Sequence, residues 1–486
     1  MSSKKFRNQL SSTVKIIVFA FAIISCSENK TKGFPKPLEK DITPNFIFIL
    51  VDDQGWNGTS VQMMQNESGS KSDYFETPHL EHLAKNGMRF SDAYASAPVC
   101  APSRYSLQFG KTPARLSLIR VGMNTDHIDH DGFTSIPKGL KMVNPQYRTA
   151  HFGKWGMGSE PHVLGYDVSD GPTRNKDGNF VNNKTQWTHS IKKDPKHIFS
   201  LTNRSMDFMT SCTEKQKPFY LQISHYAVHA NIESKESSYN MLKDKPKGEQ
   251  QKDAGYAAMT FDLDESLGLI LEKIKALGIE DNTYIIYMSD NGSVPNIPGA
   301  KKYEKSYNYP LSRGKWDALE GGIRVPLLIS GPGIKKNSES ATPVSGTDLL
   351  PTIMTLAGNN TIKLKETDGG SFAHILFNEN QKNITRDVDG LFFHVPYKNG
   401  IALKRPHSAV RKGDFKLIKF QDDQSVQLFN LKSDIKEQTD IEIENPKKTK
   451  ELEKILDDYL VQVHAPKWQK GITWKNKPLQ EINSNY

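Results

Sequence analysis

The chain is poor in cysteine and lacks internal repeats and low-complexity segments, apart from one short polar stretch near its N-terminus. Three cysteines in 486 residues exclude a disulfide-rich scaffold, so core packing must supply most of the stability. The absence of repeats excludes a solenoid or an array. With 36% hydrophobic residues, the composition is that of a globular protein, and the length suffices for a large core and a smaller domain.

The N-terminus has the features of a lipoprotein signal peptide, which we place at residues 1–25. Four basic residues precede an apolar run, Ile16–Ile24, which is too short to span a bilayer. The run ends in Ile23-Ile24-Ser25-Cys26, which resembles a bacterial lipobox and predicts that Cys26 carries lipid. Residues 26–43 would then form a tether to the outer membrane of a Gram-negative envelope, on its periplasmic or outer face. Ordinary signal cleavage nearby is the alternative.

The net charge of the chain excludes few classes of partner. The formal charge of +9 falls to about +5 once the signal peptide is removed, which fits a polyanionic substrate without requiring one. The sequence contains neither a nucleic-acid-binding motif nor a basic helix, so we expect no nucleic-acid partner.

Residues 44–385 alternate apolar runs with helical patterns, which predicts an α/β fold with a large, mostly parallel sheet between layers of helices. The run Asn45–Val51 is continuously apolar, as in strands buried on both faces of a sheet. A helix is predicted to begin after Thr77, as N-cap, with Pro78 at its first position and Gly87 as its C-terminal stop. The other predicted strands are Met88–Tyr94, Tyr147–Phe152, Phe219–Ser224, Tyr284–Ser289 and Val325–Ser330, and the other helices are Ala254–Leu277 and Asp348–Leu356.

Two other kinds of segment depart from this alternation of apolar runs and helical patterns. Residues 386–486 predict a smaller C-terminal subdomain, an antiparallel sheet capped by a helix: strands Gly390–Pro396, Ser408–Arg411, Phe415–Phe420 and Gln427–Asn430, and helix Lys448–Val461. Within the α/β region, three polar segments, 173–197, 233–252 and 296–316, mix basic and aromatic residues and indicate solvated surface insertions. The third runs into Lys315, so lining of a substrate cleft is its alternative role.

The most informative segment is Cys100-Ala101-Pro102-Ser103-Arg104. Pro102 suits the first turn of a helix because its missing N–H needs no partner there, which places Cys100 just ahead of a helix N-terminus. Backbone N–H groups and the positive end of the helix dipole favour a bound sulfate or phosphate at such a position. Arg104, one turn into the helix, adds a planar fork of donors. The pattern indicates a reactive side chain beside an anion site.

Two acidic turns end buried strands. Asp52 and Asp53 follow the first predicted strand, and Asp290 and Asn291 follow the strand that ends at Ser289. Open α/β sheets place ligands at the carboxyl ends of their strands. Adjacent carboxylates there repel each other unless a cation holds them. The four side chains form an all-oxygen set of the kind that Ca²⁺ or Mg²⁺ takes.

Together these segments resemble the signature of the type I sulfatases, which have the alkaline-phosphatase-like fold. In that family the Cys of Cys-x-Pro-Ser-Arg is oxidised after synthesis to formylglycine (3-oxoalanine) by a maturation enzyme. Gly110-Lys111 match the end of the signature, while Phe109 stands where Thr is usual. The resemblance implies that Cys100 becomes the formylglycine nucleophile. The calcium ligands that it implies are Asp52, Asp53, Cys100, Asp290 and Asn291.

Later segments extend the resemblance to about residue 465. Gly153–Gly158 carries Lys154, and Gly314–Pro326 carries Lys315, which match two sulfate-binding lysines of the family. His225–His229 resembles the segment that delivers a substrate-facing histidine, here His229. The resemblance implies that Arg104, Lys154 and Lys315 hold the sulfate while His229 protonates the leaving alcohol.

One position departs from the family pattern. The family's second histidine, which assists the last deprotonation, would stand where this chain has Gly156. We expect His225 or a bound water to take that role, and a structural role for His225 is the alternative. His151, on the preceding strand, is expected to be buried packing.

The sequence therefore predicts a sulfatase that acts on a sulfated oligo- or polysaccharide, such as marine algal ulvan. A phosphomonoester or phosphodiester hydrolase of the same superfamily is the alternative, because the cleft would attract either tetrahedral anion. A second alternative, motivated by Gly156, is a catalytically silent polysaccharide-binding lipoprotein. The expected partners are the saccharide, the maturation enzyme and the lipid anchor.

Overall fold

A computed structural model describes residues 43–295, 297, 306–359, 361–378, 380–398 and 405–470 of the chain. The signal peptide, Cys26 and most of the tether lie outside these residues, as does much of the third polar segment. Lipidation of Cys26 and the predicted domain boundaries therefore stay predictions. Among the residues that the structure describes, no helix is both long and apolar enough to cross a bilayer.

Within the described ranges the secondary structure includes sixteen strands, ten α-helices and several short 3₁₀ helices. The strands are β1 Asn45–Val51, β2 Gly87–Phe90, β3 Ala93–Tyr94, β4 Arg148–Gly153, β5 Val168–Ser169, β6 Ser190–Ile191, β7 Phe219–Ser224, β8 Glu233–Ser234, β9 Thr283–Ser289, β10 Leu327–Ser330, β11 Ser338–Ser340, β12 Val344–Ser345, β13 Leu391–Val395, β14 His407–Lys412, β15 Phe415–Phe420 and β16 Val426–Asn430. The helices are α1 Pro78–Lys85, α2 Cys100–Phe109, α3 Ile136–Val143, α4 Ile198–Glu214, α5 Glu236–Lys243, α6 Ala254–Ala276, α7 Glu320–Ile323, α8 Leu349–Leu356, α9 Ala373–Phe377 and α10 Pro446–Gln462.

The central sheet has eight strands in the order β11-β2-β10-β9-β1-β7-β4-β5. Strand β1 pairs in parallel with both β7 and β9, so it occupies the middle of the sheet. Only β10 runs against the others, because it is antiparallel to both β9 and β2. The predicted large and mostly parallel sheet is confirmed.

The residues of β1 alternate between two hydrophobic cores. Phe46, Phe48 and Leu50 belong to the core that receives α2, α3 and α8, whereas the alternate positions, such as Ile47, belong to the core that receives α1, α4 and α6. Side chains that point alternately to the two faces of a strand must all be apolar when helices cover both faces. This explains the continuous apolar run of β1.

Strands β13 to β16 form a separate antiparallel sheet. One face of this sheet packs on α10 through residues such as Val410, Leu417 and Leu456. Residues on its other face, among them Phe393 and Ile418, join the core of the central sheet. The predicted antiparallel sheet with a helix is confirmed, and it packs directly on the α/β layers.

One local prediction was wrong. The strand predicted over Met88–Tyr94 divides into β2 and β3, because the intervening Asp92 turns inward to a buried ion pair with Arg411, Oδ1 to Nη2 at 2.6 Å. As predicted, helix α1 begins after Thr77 as its N-cap and stops before Gly87, which belongs to β2 and where a Cβ atom would lie 2.3 Å from the carbonyl oxygen of Ile329. The Thr77 side chain does not itself cap the helix, since its Oγ1 accepts from the backbone N–H of Ser60.

The buried Lys416 provides a test of how the two sheets are held together. Its Nζ lies 2.9 Å from Glu320 and 2.7 Å from Glu437, and all three side chains are fully buried. Replacing Lys416 by Ala leaves two buried carboxylates without their shared cation, so we expect a loss of about 3–5 kcal/mol in the free energy of unfolding, measured with urea. The control, Lys454→Ala, breaks an exposed pair with Asp458 and should cost about 0.5 kcal/mol or less. Similar losses in the two variants would contradict the prediction.

Candidate active site

The two acidic turns lie at the same edge of the central sheet. Strands β1 and β9 are parallel neighbours with Val51 opposite Ser289, so the residues that follow them emerge side by side. The backbone N–H of Asp53 donates to Asp290 Oδ1 at 3.2 Å, which ties the two turns together. Asp53 has a φ of 61°, so the chain turns sharply there and both carboxylates face one point. The rule that ligands bind at the carboxyl ends of strands thus explains why these side chains meet.

Helix α2 brings Cys100 to this point. The helix begins at Cys100 itself, with Val99 as its N-cap, and not just after Cys100 as predicted, because Pro102 occupies the third helical position. The Sγ atom of Cys100 lies 3.6 Å from Asp52 Oδ1 and 3.9 Å from Asp53 Oδ1. The predicted reactive side chain and the predicted metal ligands therefore occupy one site.

Three cations pair with the three carboxylates. Arg104 lies one turn into α2, Lys154 follows β4, and Lys315 precedes α7. The pairs are Lys154 Nζ with Asp52 Oδ2 at 2.5 Å, Lys315 Nζ with Asp53 Oδ1 at 2.6 Å, and Arg104 Nε with Asp290 Oδ2 at 2.9 Å. In addition, Lys315 Nζ lies 3.3 Å from Cys100 Sγ. The residues predicted to hold sulfate surround the predicted nucleophile.

The donor set fits a hard divalent cation. Ligand atoms of Asp52, Asp53, Cys100 and Asp290 all lie within 4.8 Å of one another, and the four residues are buried. Asn291 completes the set, since its Nδ2 donates to Asp53 Oδ1 at 2.7 Å while its Oδ1 is buried without a hydrogen-bond partner. A buried carbonyl oxygen without a donor is costly unless a cation binds it. Oxygen ligands of this kind are those that Ca²⁺ takes.

Burial and the neighbouring charges shift the pKa values of the side chains around Cys100. Burial opposes ionisation of Asp52, but the surrounding cations, Lys154 first and then Arg104 and Lys315, together outweigh it and hold the pKa of that carboxyl well below its usual range. Burial and the nearby Asp52 carboxylate raise the pKa of Asp290, so its charge is incompletely compensated by protein groups. Burial raises the pKa of the Cys100 thiol to about 12. An unmodified thiol there stays protonated at neutral pH and is a weak nucleophile.

His229 is the histidine that approaches the carboxylates. Its Nε2 lies 3.7 Å from Asp53 Oδ2, and its Nδ1 lies 2.8 Å from the carbonyl oxygen of Ala230. That carbonyl also accepts from Nζ of the buried Lys196 at 3.0 Å, a residue that the sequence did not single out. Because Nδ1 must donate to the carbonyl, Nε2 is the nitrogen that faces the site. Burial lowers the pKa of His229 to about 4.

His225 and His151, the other two histidines of the predicted segments, have surroundings that differ from those of His229. His225 is buried, its Nδ1 has no hydrogen-bond partner, and burial lowers its pKa to about 4. Among the described residues, no hydrogen bond or ion pair joins its ring to Cys100 or to the carboxylates, so its role as a base stays a prediction. His151 lies 2.9 Å from Ser224 Oγ through Nε2 and packs edge-on against Trp155. This is the expected buried packing.

A cavity of about 440 Å³ opens onto Cys100 and Lys154. Its outer wall includes Arg174, Lys176 and Phe180, which belong to the first polar segment. The sequence predicts a surface insertion for that segment, and it indicates a place in the cleft only for the third polar segment. The same mixture of basic and aromatic residues in the first segment was the signal that could have identified it.

Comparison with known proteins settles the family. Residues 44–359 match the family model described as Sulfatase, and residues 315–466 match one described as N-sulphoglucosamine sulphohydrolase, C-terminal. The chain belongs to the sulfatase family. It is therefore a member of the alkaline-phosphatase-like superfamily and a sulfuric ester hydrolase.

The similarity to known proteins extends over most of this sulfatase chain. It is 28% identical to a protein named Sulfatase from Formosa agariphila, over 89% of this chain and 90% of that one. It is 24% identical to the ulvan-active sulfatase of the same organism, over 81% and 76% of the two chains. A crystal structure of Ps i-CgsB in complex with k-i-k-neocarrahexaose has a TM-score of 0.71 and 24% identity, covering 91% of this chain and 97% of that one.

Gly156, where this sulfatase departs from the family pattern, faces the cations. Its φ is 71°, in the left-handed region that favours glycine. A Cβ atom at this position would lie 3.6 Å from both Arg104 Cδ and Lys154 Cε, which is ordinary van der Waals contact. A side chain there would thus reach the predicted sulfate site, and its absence leaves that space to the cavity.

We predict that Asp290→Asn removes most of the Ca²⁺-dependent stabilisation of the sulfatase. In the parent protein, free Ca²⁺ at 100 times its Kd should add about 2.7 kcal/mol to the free energy of unfolding, seen as a rise in Tm. The variant removes one ligand charge and should lose most of that rise. Asp264→Asn is the control, because Asp264 is a buried acid that accepts from the backbone N–H groups of His79 and Leu80. An equal Ca²⁺-dependent rise in both variants would contradict the predicted metal site.

Proposed function

We propose that this sulfatase hydrolyses sulfate esters of a carbohydrate, with Cys100 converted to formylglycine and Ca²⁺ held by Asp52, Asp53, Asp290 and Asn291. The observation that carries the proposal is the position of Cys100. Its Sγ lies between the carboxylates and the Lys315 ammonium, at the buried end of the cavity. A nucleophile there meets both the metal ligands and the cations that would hold a sulfate.

Arg104, Lys154 and Lys315 are the groups that bind the sulfate oxygens in this proposal. Each is paired with a carboxylate at hydrogen-bond distance. A divalent cation bound to the same carboxylates would share their negative charge, so the ammonium and guanidinium groups could turn their N–H donors to the substrate. Ca²⁺ and a hydrated formylglycine would supply an acidified hydroxyl for attack on sulfur and a second hydroxyl for release of sulfate.

His229 is the proposed general acid. With Nδ1–H directed to the carbonyl of Ala230, Nε2 is the atom that can carry a proton to the leaving oxygen. The neighbouring Asp53 carboxylate, 3.7 Å away, favours the protonated ring and so opposes the effect of burial. The edge of Phe180 packs against the ring and limits its rotation, with the ring centroids 4.7 Å apart.

A carbohydrate is the proposed substrate class because of the relatives and the cavity. One relative is named an ulvan-active sulfatase, and one structural neighbour contains a neocarrahexaose. The cavity of about 440 Å³ combines basic side chains with apolar ones such as Leu118 and Met157. Such a lining suits an anionic sugar, whose ring offers apolar faces and whose hydroxyl and sulfate groups need donors.

The proposal is tested by producing the protein with and without a formylglycine-generating enzyme. Mass spectrometry of the tryptic peptide ending at Arg104 gives the converted fraction of Cys100, and nitrophenyl sulfate and nitrophenyl phosphate give the two hydrolysis rates. We expect sulfate release to rise in proportion to conversion and to exceed phosphate release. Cys100→Ala should abolish it, whereas the control Cys212→Ala removes a buried thiol on α4 and should retain it. Full activity with an unmodified thiol, or a preference for phosphate, would refute the proposal.

His229→Ala should slow hydrolysis of sugar sulfates by roughly 10²–10⁴-fold, because the leaving alkoxide then departs without its proton. Nitrophenyl sulfate, whose leaving group needs little protonation, should lose much less. Comparison of kcat/KM on both substrates measures the difference. The control is His162→Ala, which changes an exposed histidine on the surface. Equal losses on the two substrates would show that His229 is not the acid.

A further inference from the structure

The cavity of the sulfatase is lined by more positively charged side chains than the binding of one sulfate group requires. Besides Lys154, its lining includes Arg120, Arg174 and Lys176, and no acidic residue is among the described residues that line it. Arg174 and Lys176 belong to the outer wall, and both are exposed. Charges of one sign that line a cleft raise the local concentration of an oppositely charged ligand.

The segment that carries these two cations is fixed at both ends. On one side, the N–H groups of Trp155 and Gly156 donate to Oγ1 and the carbonyl oxygen of Thr173, each at 2.9 Å. On the other side, Asn179 Nδ2 donates to Glu233 Oε2 at 3.1 Å, and the N–H of Val181 donates to Asn231 Oδ1 at 2.8 Å. Residues 173–181 therefore bridge the segment of Lys154 and the segment of His229.

The middle of this bridge packs as closely as its ends. A Cβ atom at Gly178 would lie 2.2 Å from the ring of Tyr226, so only glycine allows the backbone to rest on that ring. The one acid in the segment, Asp177, accepts from the backbone N–H of Arg174 at 2.7 Å and closes the turn. The backbone is thus set by packing and hydrogen bonds, while the side chains of Arg174 and Lys176 remain exposed towards the cavity.

We propose that Arg174 and Lys176 form a second anion subsite, which binds a carboxylate or an additional sulfate on the saccharide whose sulfate is cleaved. The proposal rests on the proposed function. Arg104, Lys154 and Lys315 are buried around Cys100 and serve the scissile sulfate, whereas the two outer cations line the same cavity on the segment that Gly156 N–H joins through Thr173. Because Gly156 has no side chain, the space between the two sets of cations is open to a sugar ring. The substrate class is therefore a saccharide with at least two anionic groups.

The test compares three disaccharides that share one sulfated sugar and differ only in its neighbour, which is neutral, a uronate or sulfated. The matured parent enzyme should show a kcat/KM about tenfold higher for one or both dianionic disaccharides than for the neutral-neighbour one. The double variant Arg174→Gln/Lys176→Gln should lose that preference through KM, with kcat and nitrophenyl sulfate hydrolysis unchanged. The variant Lys184→Gln/Lys193→Gln removes the same charge from exposed positions nearby and should keep the preference.

The comparison of the uronate and the sulfated neighbour identifies which anion the subsite takes. Equal kcat/KM values for all three disaccharides in the parent enzyme, or a preference that survives in Arg174→Gln/Lys176→Gln, would overturn the subsite and leave the sulfatase proposal intact. Absence of sulfate release from every saccharide would instead overturn the proposed function. In that case calorimetric binding of the same disaccharides to Cys100→Ala decides the subsite, since only an intact pair of cations should favour the dianionic ones.

Discussion

The site depends on the balance of charge that is buried at the carboxyl ends of β1 and β9. Asp52, Asp53 and Asp290 are at most 3% exposed, and an isolated carboxylate at such depth would be too costly to keep ionised. Their partners come from three separate parts of the chain: α2, the turn after β4 and the loop before α7. Each pair thus draws a distant segment to the sheet edge. The requirement that buried charges be paired assembles the site before any ligand binds.

The same requirement explains why the C-terminal sheet matters to the site. The loop that carries Lys315 is held from behind, because the N–H of Ala318 donates to His407 Nε2 at 2.9 Å and the N–H of Glu320 donates to Glu437 Oε2 at 2.6 Å. His407 lies on β14, and Glu437 lies in the segment between β16 and α10. The antiparallel sheet therefore positions one cation of the site without contributing a side chain to it.

Sequence alone predicted the parts of the structure that follow from local rules. The continuous apolar run of β1 is what a strand covered on both faces requires, and acidic turns after parallel neighbours must meet at one edge. Other features depend on contacts that no local pattern encodes. Asp92 divides one predicted strand because a distant arginine binds it, and residues 173–181 reach the cavity because Gly178 rests on Tyr226. Both outcomes are set by tertiary partners far away in the chain.

The glycine at position 156 provides no side chain for proton transfer, but it supports the structure of a neighbouring segment. A histidine there would have to adopt a left-handed backbone conformation and would fill the space beside Arg104 and Lys154. With glycine, that backbone conformation costs little, and its N–H fixes Thr173 at the start of the bridging segment. Gly156 therefore leaves the catalytic end of the cavity without a side chain at this position. Its N–H also anchors the segment that contributes two cations to the outer end of the cavity. Any side chain placed at position 156 would occupy space beside Arg104 and Lys154, so in the proposed mechanism one position would affect both proton transfer and the room for the substrate.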